Sequence, residues 1–263
     1  MPRLAANLSF LFLEHEFLDR FGAARRAGFG AVEFHFPYAY EGDRIGETLR
    51  TEGLELVLFN LPPGDWGKGD RGIAVDPARV GEFQDGVGRA IDYARLLRVP
   101  RVNCLAGIPP AGVPRERAHE TLVGNLRFAA KACAAAGLEL VAEPINTRTV
   151  PGFFLSSLPQ FLAVQAEVGA PNFRCQYDLF HMQITGGDLA HSLATHLPAI
   201  GHVQVADVPD RHEPGTGEIN FPFLFDHLDR IGYAGWVAAE YVPSRRTEET
   251  LGWARPYLVE TRS

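Results

Sequence analysis

Four residues in the second half of the chain have the oxygen chemistry of a metal-assisted acid–base site: Glu143, Asp178, Gln204 and Glu240. Each lies at or near the end of an apolar run, in "LELVAEP", "FRCQYD", "HVQVAD" and "WVAAEY". If four successive strands bring them together, three carboxylates meet in one pocket. Their charged forms then coexist only beside a cation, or one of them takes a proton. Four oxygen donors, with no cysteine or histidine in the set, suit a hard divalent ion such as Mg²⁺ or Mn²⁺. Gln204 supplies an amide oxygen without adding charge. Taken singly, each residue also fits a strand end meeting solvent. The set says more, because Gln204 lies among valines and Glu240 directly follows "WVAA", where polar groups need partners.

The elements that must position these residues recur as a unit: amphipathic helix, glycine, apolar run. "FLDRFGAARRAG" ends at Gly28, "RIGETLRTEG" at Gly53, "NLRFAAKACAAAG" at Gly137 and "LFDHLDRIG" at Gly232. Each glycine falls where a helix ends in a left-handed residue. Leu122, Leu126, Ala129, Ala130 and Cys133 share one helical face by their spacing. Eight strands are expected, over 4–10, 31–36, 54–60, 101–107, 138–142, 173–178, 200–207 and 235–241. Strands alternating with helices imply a mainly parallel sheet. A (β/α)₈ TIM barrel is the expected fold, as one domain over 1–263, and a doubly wound open sheet is the alternative. No GxGxxG or P-loop follows the first strand, which weakens the open sheet as a nucleotide binder. In a barrel, groups at the C-terminal strand ends converge on one face. Asn7, His35, Asn60 and Asn103 belong to the same class of position.

The 263 residues suit one barrel, and a net charge of −7 without like-charge blocks speaks against a nucleic-acid or anionic-membrane partner. Cys104, Cys133 and Cys175 form no CxxC pair and read as reduced thiols of a cytoplasmic protein. "MPRLAANLSF" makes a poor signal peptide. No apolar run approaches the roughly 18 residues of a membrane span. Barrels of this length often form dimers or tetramers, which leaves a homo-oligomer open beside a monomer.

At these same residues the chain resembles the hydroxypyruvate isomerase family, within the xylose-isomerase-like barrels that also hold ketose 3-epimerases. The resemblance is carried by "LAANLSF", "AVEFHFPY", "FNLPPGDW", "GDRGIA", "EPIN", "QYDLFHMQ", "HVQVAD", "RHEPGTGEIN" and "AEYVP", which span nearly the whole chain. It implies that Glu143, Asp178, Gln204 and Glu240 bind the metal, and that Glu143 and Glu240 exchange protons with substrate. Ketose 3-epimerases typically have histidine where Gln204 stands, which favours the isomerase branch. "VPDRHEPGTGEIN" leans toward a relative acting on 2-oxo-tetronates, whereas "NLPPGDWGKGDRGIA" and "EPIN" lean toward hydroxypyruvate isomerase.

The implied substrate is a small hydroxy-oxo acid. A divalent ion on its two adjacent oxygens would acidify the neighbouring C–H, and a carboxylate would take that proton to give a cis-enediolate. Returning the proton to the adjacent carbon swaps ketone and aldehyde, turning hydroxypyruvate into tartronate semialdehyde. Arg211 is the expected partner of the substrate carboxylate, against the plain alternative of a surface arginine. His181 is expected to hydrogen-bond or polarise a substrate oxygen, against a purely structural histidine. Glu213 reads either as a brace for Arg211 or His181 or as a solvated loop acid. Trp66 is expected over the pocket as a water shield, against the plain alternative of a packing tryptophan, with Asn60 and Arg71 as further site candidates. His15, His191, His196 and His227 sit in helical stretches and carry no role. The rivals are a 2-oxo-tetronate isomerase, a ketose 3-epimerase, a DNA-repair nuclease on a related barrel, and a non-catalytic sugar-acid sensor.

Overall fold

The computed structural model describes residues 1–258. In chain order the elements are β1 (Arg3–Asn7), α1 (Asp19–Arg26), β2 (Ala31–Phe34), α2 (Gly42–Glu52), β3 (Glu55–Asn60), α3 (Val80–Leu97), β4 (Arg101–Cys104) and α4 (Arg115–Ala135). There follow β5 (Glu139–Ala142), α5 (Leu158–Val168), β6 (Phe173–Asp178), α6 (Leu179–Thr185), α7 (Leu189–His196), β7 (Ile200–Val205), α8 (Phe221–Arg230) and β8 (Trp236–Ala239). The eight strands are parallel and close on themselves, β8 pairing back onto β1. The fold is the expected (β/α)₈ barrel, not the open sheet.

The helix-ending glycines behave as their positions require. Gly28, Gly53, Gly137 and Gly232 all have positive φ. The α4 face of Leu122, Leu126, Ala129, Ala130 and Cys133 is buried against the sheet, as its spacing predicts. Most strands are shorter than their apolar runs. β5 stops at Ala142 and β8 at Ala239, so Glu143 and Glu240 begin the loops that leave the barrel. His15 is the exception among the helical histidines: it lies in a turn before α1, while His191, His196 and His227 lie in α7 and α8. No helix among the described residues is long and apolar enough to cross a membrane.

Two features aim side chains at the barrel axis. The β2–β3 register shifts between Val32 and Glu33, and the β6–β7 register between Cys175 and Gln176. Such irregularities bend a strand and redirect the residues that follow. Past them, Asp178 pairs directly with Gln204 across the β6–β7 ladder, and Gln204 with Ala238 across β7–β8. The backbone thus sets two of the four expected ligands side by side before any side-chain contact is considered.

Candidate active site

The strand ends bring Glu143, Asp178, Gln204 and Glu240 together at the C-terminal mouth, each buried. Above them is a small cavity of about 150 Å³, lined by Glu143, Glu240, His181, Arg211, Asn60, Trp66 and Arg71 among others. Every expected substrate-side residue borders that one space. Asp178 and Gln204 lie just beneath it.

Each member of the set is anchored to the protein through at least one atom. Glu143 Oε2 accepts from Gln176 Nε2 over 3.1 Å. Asp178 Oδ1 accepts the Phe180 N–H over 2.9 Å, capping α6. Glu240 Oε1 lies 2.8 Å from His35 Nε2. Gln204 Nε2 donates to Glu33 Oε1 over 2.6 Å. Two carboxylate oxygens are left over: among the described residues, Glu143 Oε1 and Glu240 Oε2 are buried without a hydrogen-bond partner. Native proteins rarely leave buried carboxylate oxygens so. Two such oxygens beside Asp178 Oδ2 match the needs of a hard cation. Glu143, Asp178 and His181 also offer ligand atoms that all lie within 4.8 Å of one another.

The electrostatics carry the same mark. Burial, then repulsion from Glu240 and Asp178, push Glu143 well above the usual carboxylate range. Burial, reinforced by Glu240 and opposed by Arg211, raises Asp178 to about 7. Burial would raise Glu240 too, but Arg211 and the His35 N–H outweigh it and hold the acid below its ordinary value.

Arg211 supplies the nearest positive charge. Its Nη2 lies 3.2 Å from Asp178 Oδ2 and 3.5 Å from Glu240 Oε2. Phe10 and Phe180 pack against the guanidinium, 4.9 and 5.2 Å from ring centre to Cζ. The loop carrying it is pinned by Asp207, whose carboxylate accepts N–H groups from Val208, Gly215, Gly217 and Ile219. Arg211 itself sits at φ 59°, a left-handed conformation uncommon for arginine, which turns the side chain inward.

His181 presents a defined tautomer. Its Nδ1 faces both the Asn146 side-chain amide, at 2.6 Å, and the Asn146 backbone N–H, at 3.4 Å. A ring nitrogen facing two donors accepts, so the proton sits on Nε2, which points toward Glu143 and Asp178 at 3.5 and 3.6 Å. Burial, with Arg211 nearby, holds the ring neutral well below its ordinary pKa. Glu213 braces neither His181 nor Arg211. Its carboxylate accepts from the N–H and hydroxyl of Ser244, tying the loops after β7 and β8 together. At the mouth Trp66 is 41% exposed, packs on Phe36 and carries the Arg71 guanidinium 4.1 Å above its ring.

Several site residues lie outside the expected set. His35 stands in the strand-end class but was not linked to Glu240. Glu33, Gln176, Asn146 and Phe10 had no assigned place. Glu33/His35, Gln176/Asp178 and His202/Gln204 are polar pairs two residues apart, hence on one strand face, and that alternation is their sequence signal.

A model of the family described as xylose isomerase-like TIM barrel matches residues 21–257. A 2-oxo-tetronate isomerase of Cupriavidus necator is 47% identical over 258 residues, covering 98% of this chain and 99% of that protein. A hydroxypyruvate isomerase of Escherichia coli is 47% identical over 257 residues, covering 98% and 100%. A crystal structure from Brucella melitensis, described as an AP endonuclease of family 2, superposes with a TM-score of 0.96 at 45% identity, covering 98% and 100%. With matches of this extent to curated isomerases, the chain is an isomerase and belongs to the xylose isomerase-like TIM barrel family.

Proposed function

We propose that this isomerase interconverts hydroxypyruvate and tartronate semialdehyde, with Glu143 and Glu240 moving the proton. The observation that carries the reading is the pair of buried oxygens that receive no hydrogen bond among the described residues, Glu143 Oε1 and Glu240 Oε2, beside one small cavity. One carboxylate takes a proton from the hydroxymethyl carbon. The electron pair moves to the carbonyl oxygen, giving an enediolate. Delivery of the proton to the former carbonyl carbon, with the hydroxyl proton passing to the former carbonyl oxygen, leaves an aldehyde beside a new hydroxyl. His181 donates its neutral Nε2–H to the oxygen that gains charge, stabilising it without a competing proton transfer. Arg211 pairs with the substrate carboxylate, and Trp66, Arg71 and Asn60 close the mouth above it.

Glu143, Asp178, Gln204 and Glu240 would hold Mg²⁺ or Mn²⁺, which when bound polarises the substrate carbonyl as a Lewis acid. The barrel closing β1 onto β8 supports one catalytic unit over the whole chain. The partner is a small molecule. A net charge of −7 and a metal-type cluster with one histidine give no support to DNA chemistry.

A second reading, 2-oxo-tetronate isomerisation, is favoured by the Cupriavidus necator relative. It uses the same chemistry on a substrate one carbon longer. A ketose 3-epimerase fits less well: about 150 Å³ is small beside the ~300–1,000 Å³ of drug-sized sites, and a neutral ketose brings no carboxylate to Arg211. The deciding experiment supplies hydroxypyruvate, 2-oxo-tetronates and ketoses in D₂O, with and without Mn²⁺. Hydroxypyruvate isomerised with deuterium uptake at carbon is the expected result. Turnover of ketoses alone, or of none, overturns the reading.

A further inference from the structure

Below the acidic set lies a second polar layer that the proposed proton transfer does not use. Its centre is Glu33, fully buried on β2. Three N–H donors converge on this carboxylate. His202 Nε2 lies 2.6 Å from Oε2, while Gln204 Nε2 and Asn7 Nδ2 donate to Oε1 over 2.6 and 2.8 Å. Gln176 Nε2 meets the layer from the side, donating 2.7 Å to Gln204 Oε1 and 3.1 Å to Glu143 Oε2.

A buried carboxylate in a barrel core is costly unless fully hydrogen-bonded. An apolar residue would fill the space more simply, as Leu58 does opposite Glu33 on β3. What the acid achieves is chemical direction. The Gln204 amide has an acceptor, Glu33, at its nitrogen end and a donor, Gln176, at its oxygen end. Flipping the amide would set oxygen against oxygen and N–H against N–H, losing both contacts. Only one orientation is therefore available, with Oε1 on the side of Glu143. The two register shifts, immediately before Glu33 and Gln176, aim the strands at this layer.

We propose that Glu33 is the positioning residue that locks the Gln204 amide so that its oxygen, and not its nitrogen, serves the divalent cation, with Gln176 linking that lock to Glu143. The inference rests on the metal reading above. It deepens that reading by assigning a buried acid that does not line the cavity. Outer partners of metal ligands commonly change affinity by about 10–100-fold.

The test is a double-mutant cycle read by direct Mn²⁺ titration, using calorimetry and the EPR signal of free Mn²⁺, without substrate. Glu33→Leu removes both acceptor oxygens at similar side-chain length and serves as the primary variant, with thermal melting of the metal-free proteins as the check on folding. Glu33→Leu alone should weaken Mn²⁺ binding by about tenfold. Gln204→Ala should weaken it as well. In the Gln204→Ala background there is no amide to orient, so adding Glu33→Leu should cause no further loss. Losses that add across the two positions would mean that Glu33 acts by bulk charge or fold, and would overturn the proposal. So would a folded Glu33→Leu protein that binds Mn²⁺ as wild type does. If Glu33→Leu does not fold, His202→Leu replaces it, since removal of that donor frees the same carboxylate from its far side, and the same additivity criterion applies. A wild-type protein that binds no Mn²⁺ overturns the metal reading and this inference together. Mn²⁺ binding left unchanged by the substitution overturns the inference alone.

Discussion

Arg211 Nη2 lies 3.2 Å from Asp178 Oδ2, so a buried carboxylate at the end of β6 is paired with a side chain from the loop after β7. The guanidinium is held between two aromatic rings, one of its faces on Phe10 and one contact on Phe180. The same group therefore has two tasks in the proposed scheme: it offsets the acidic cluster and it receives the substrate carboxylate.

Arg211→Ala is expected to raise KM for hydroxypyruvate by roughly 10–100-fold, the worth of about 1.5–3 kcal/mol for a hydrogen bond to a charged group. Lysine should restore only part of this, because it has no planar fork to match a carboxylate. Steady-state kinetics on both variants check the prediction. An unchanged KM in Arg211→Ala would take this residue out of substrate binding.

Glu143→Gln and Glu240→Gln should each lower kcat by at least about 10²–10⁴-fold, the usual range for general acid–base catalysis, and further where metal binding is lost as well. Both variants keep side-chain volume and can keep their anchors, since a Gln oxygen still accepts from Gln176 or His35. Loss of turnover with unchanged melting would locate the defect in chemistry. Turnover near that of wild type in either variant removes that glutamate from the proton transfer.

The crossing of Gly72 and Gly107 fixes the loop that carries Trp66 and Arg71. Gly72 has φ +104° and Gly107 has φ +97°, and a Cβ on Gly72 would stand 2.2 Å from the Leu105 carbonyl oxygen. Gly72→Ala should destabilise the protein by at least the ~1–3 kcal/mol of a strained backbone position. It should also raise KM, since the loop bordering the cavity must shift. Urea unfolding and kinetics on one preparation test both effects, and an unperturbed midpoint would contradict the crossing.

The outline of this molecule was legible because its signals are local. A helix that ends on Gly53 or Gly137 announces itself through one residue, and an apolar run through its neighbours. Glu143, Asp178, Gln204 and Glu240 were legible as strand-end polar residues. Their partners were not, because those contacts join distant parts of the chain. His35 meets Glu240 past the intervening β1, and Glu33 meets His202 from β2 to β7. Nothing in the sequence around Glu33 distinguishes a buried acid from one at the surface of an edge strand. Glu213 shows the converse: its place beside Arg211 in sequence suggested a brace, but the backbone turns between them and sends its carboxylate to Ser244. The alternation of Glu33 with His35 and of His202 with Gln204 held the missing information. It becomes readable only once a closed barrel makes alternate residues face a common axis.

The buried acids also set a pH dependence for the metal-free protein. Glu143 is raised by burial and by Glu240 and Asp178, and Asp178 is raised to about 7 by burial and Glu240. Unfolded, both titrate near ~4. Between the unfolded and folded values the native state binds more protons than the unfolded chain, so stability falls as pH rises through that window. His181 acts in the opposite sense. It is held neutral in the fold, so its contribution is lost as pH drops below the ~6.5 of an unfolded histidine. Above about 6.5 that opposition ends, and the carboxylates alone give a descending limb. The melting temperature of metal-free protein is therefore expected to decline from about pH 6.5 toward 8. Glu143→Gln, which carries no titrating proton there, should make the decline shallower, and saturating Mn²⁺ should flatten it by stabilising the ionised carboxylates. Melting curves at closely spaced pH values, with EDTA or with Mn²⁺, test this directly. Metal-free stability that is level or rising over that interval, and identical in Glu143→Gln, would show that these acids are not held protonated by the fold.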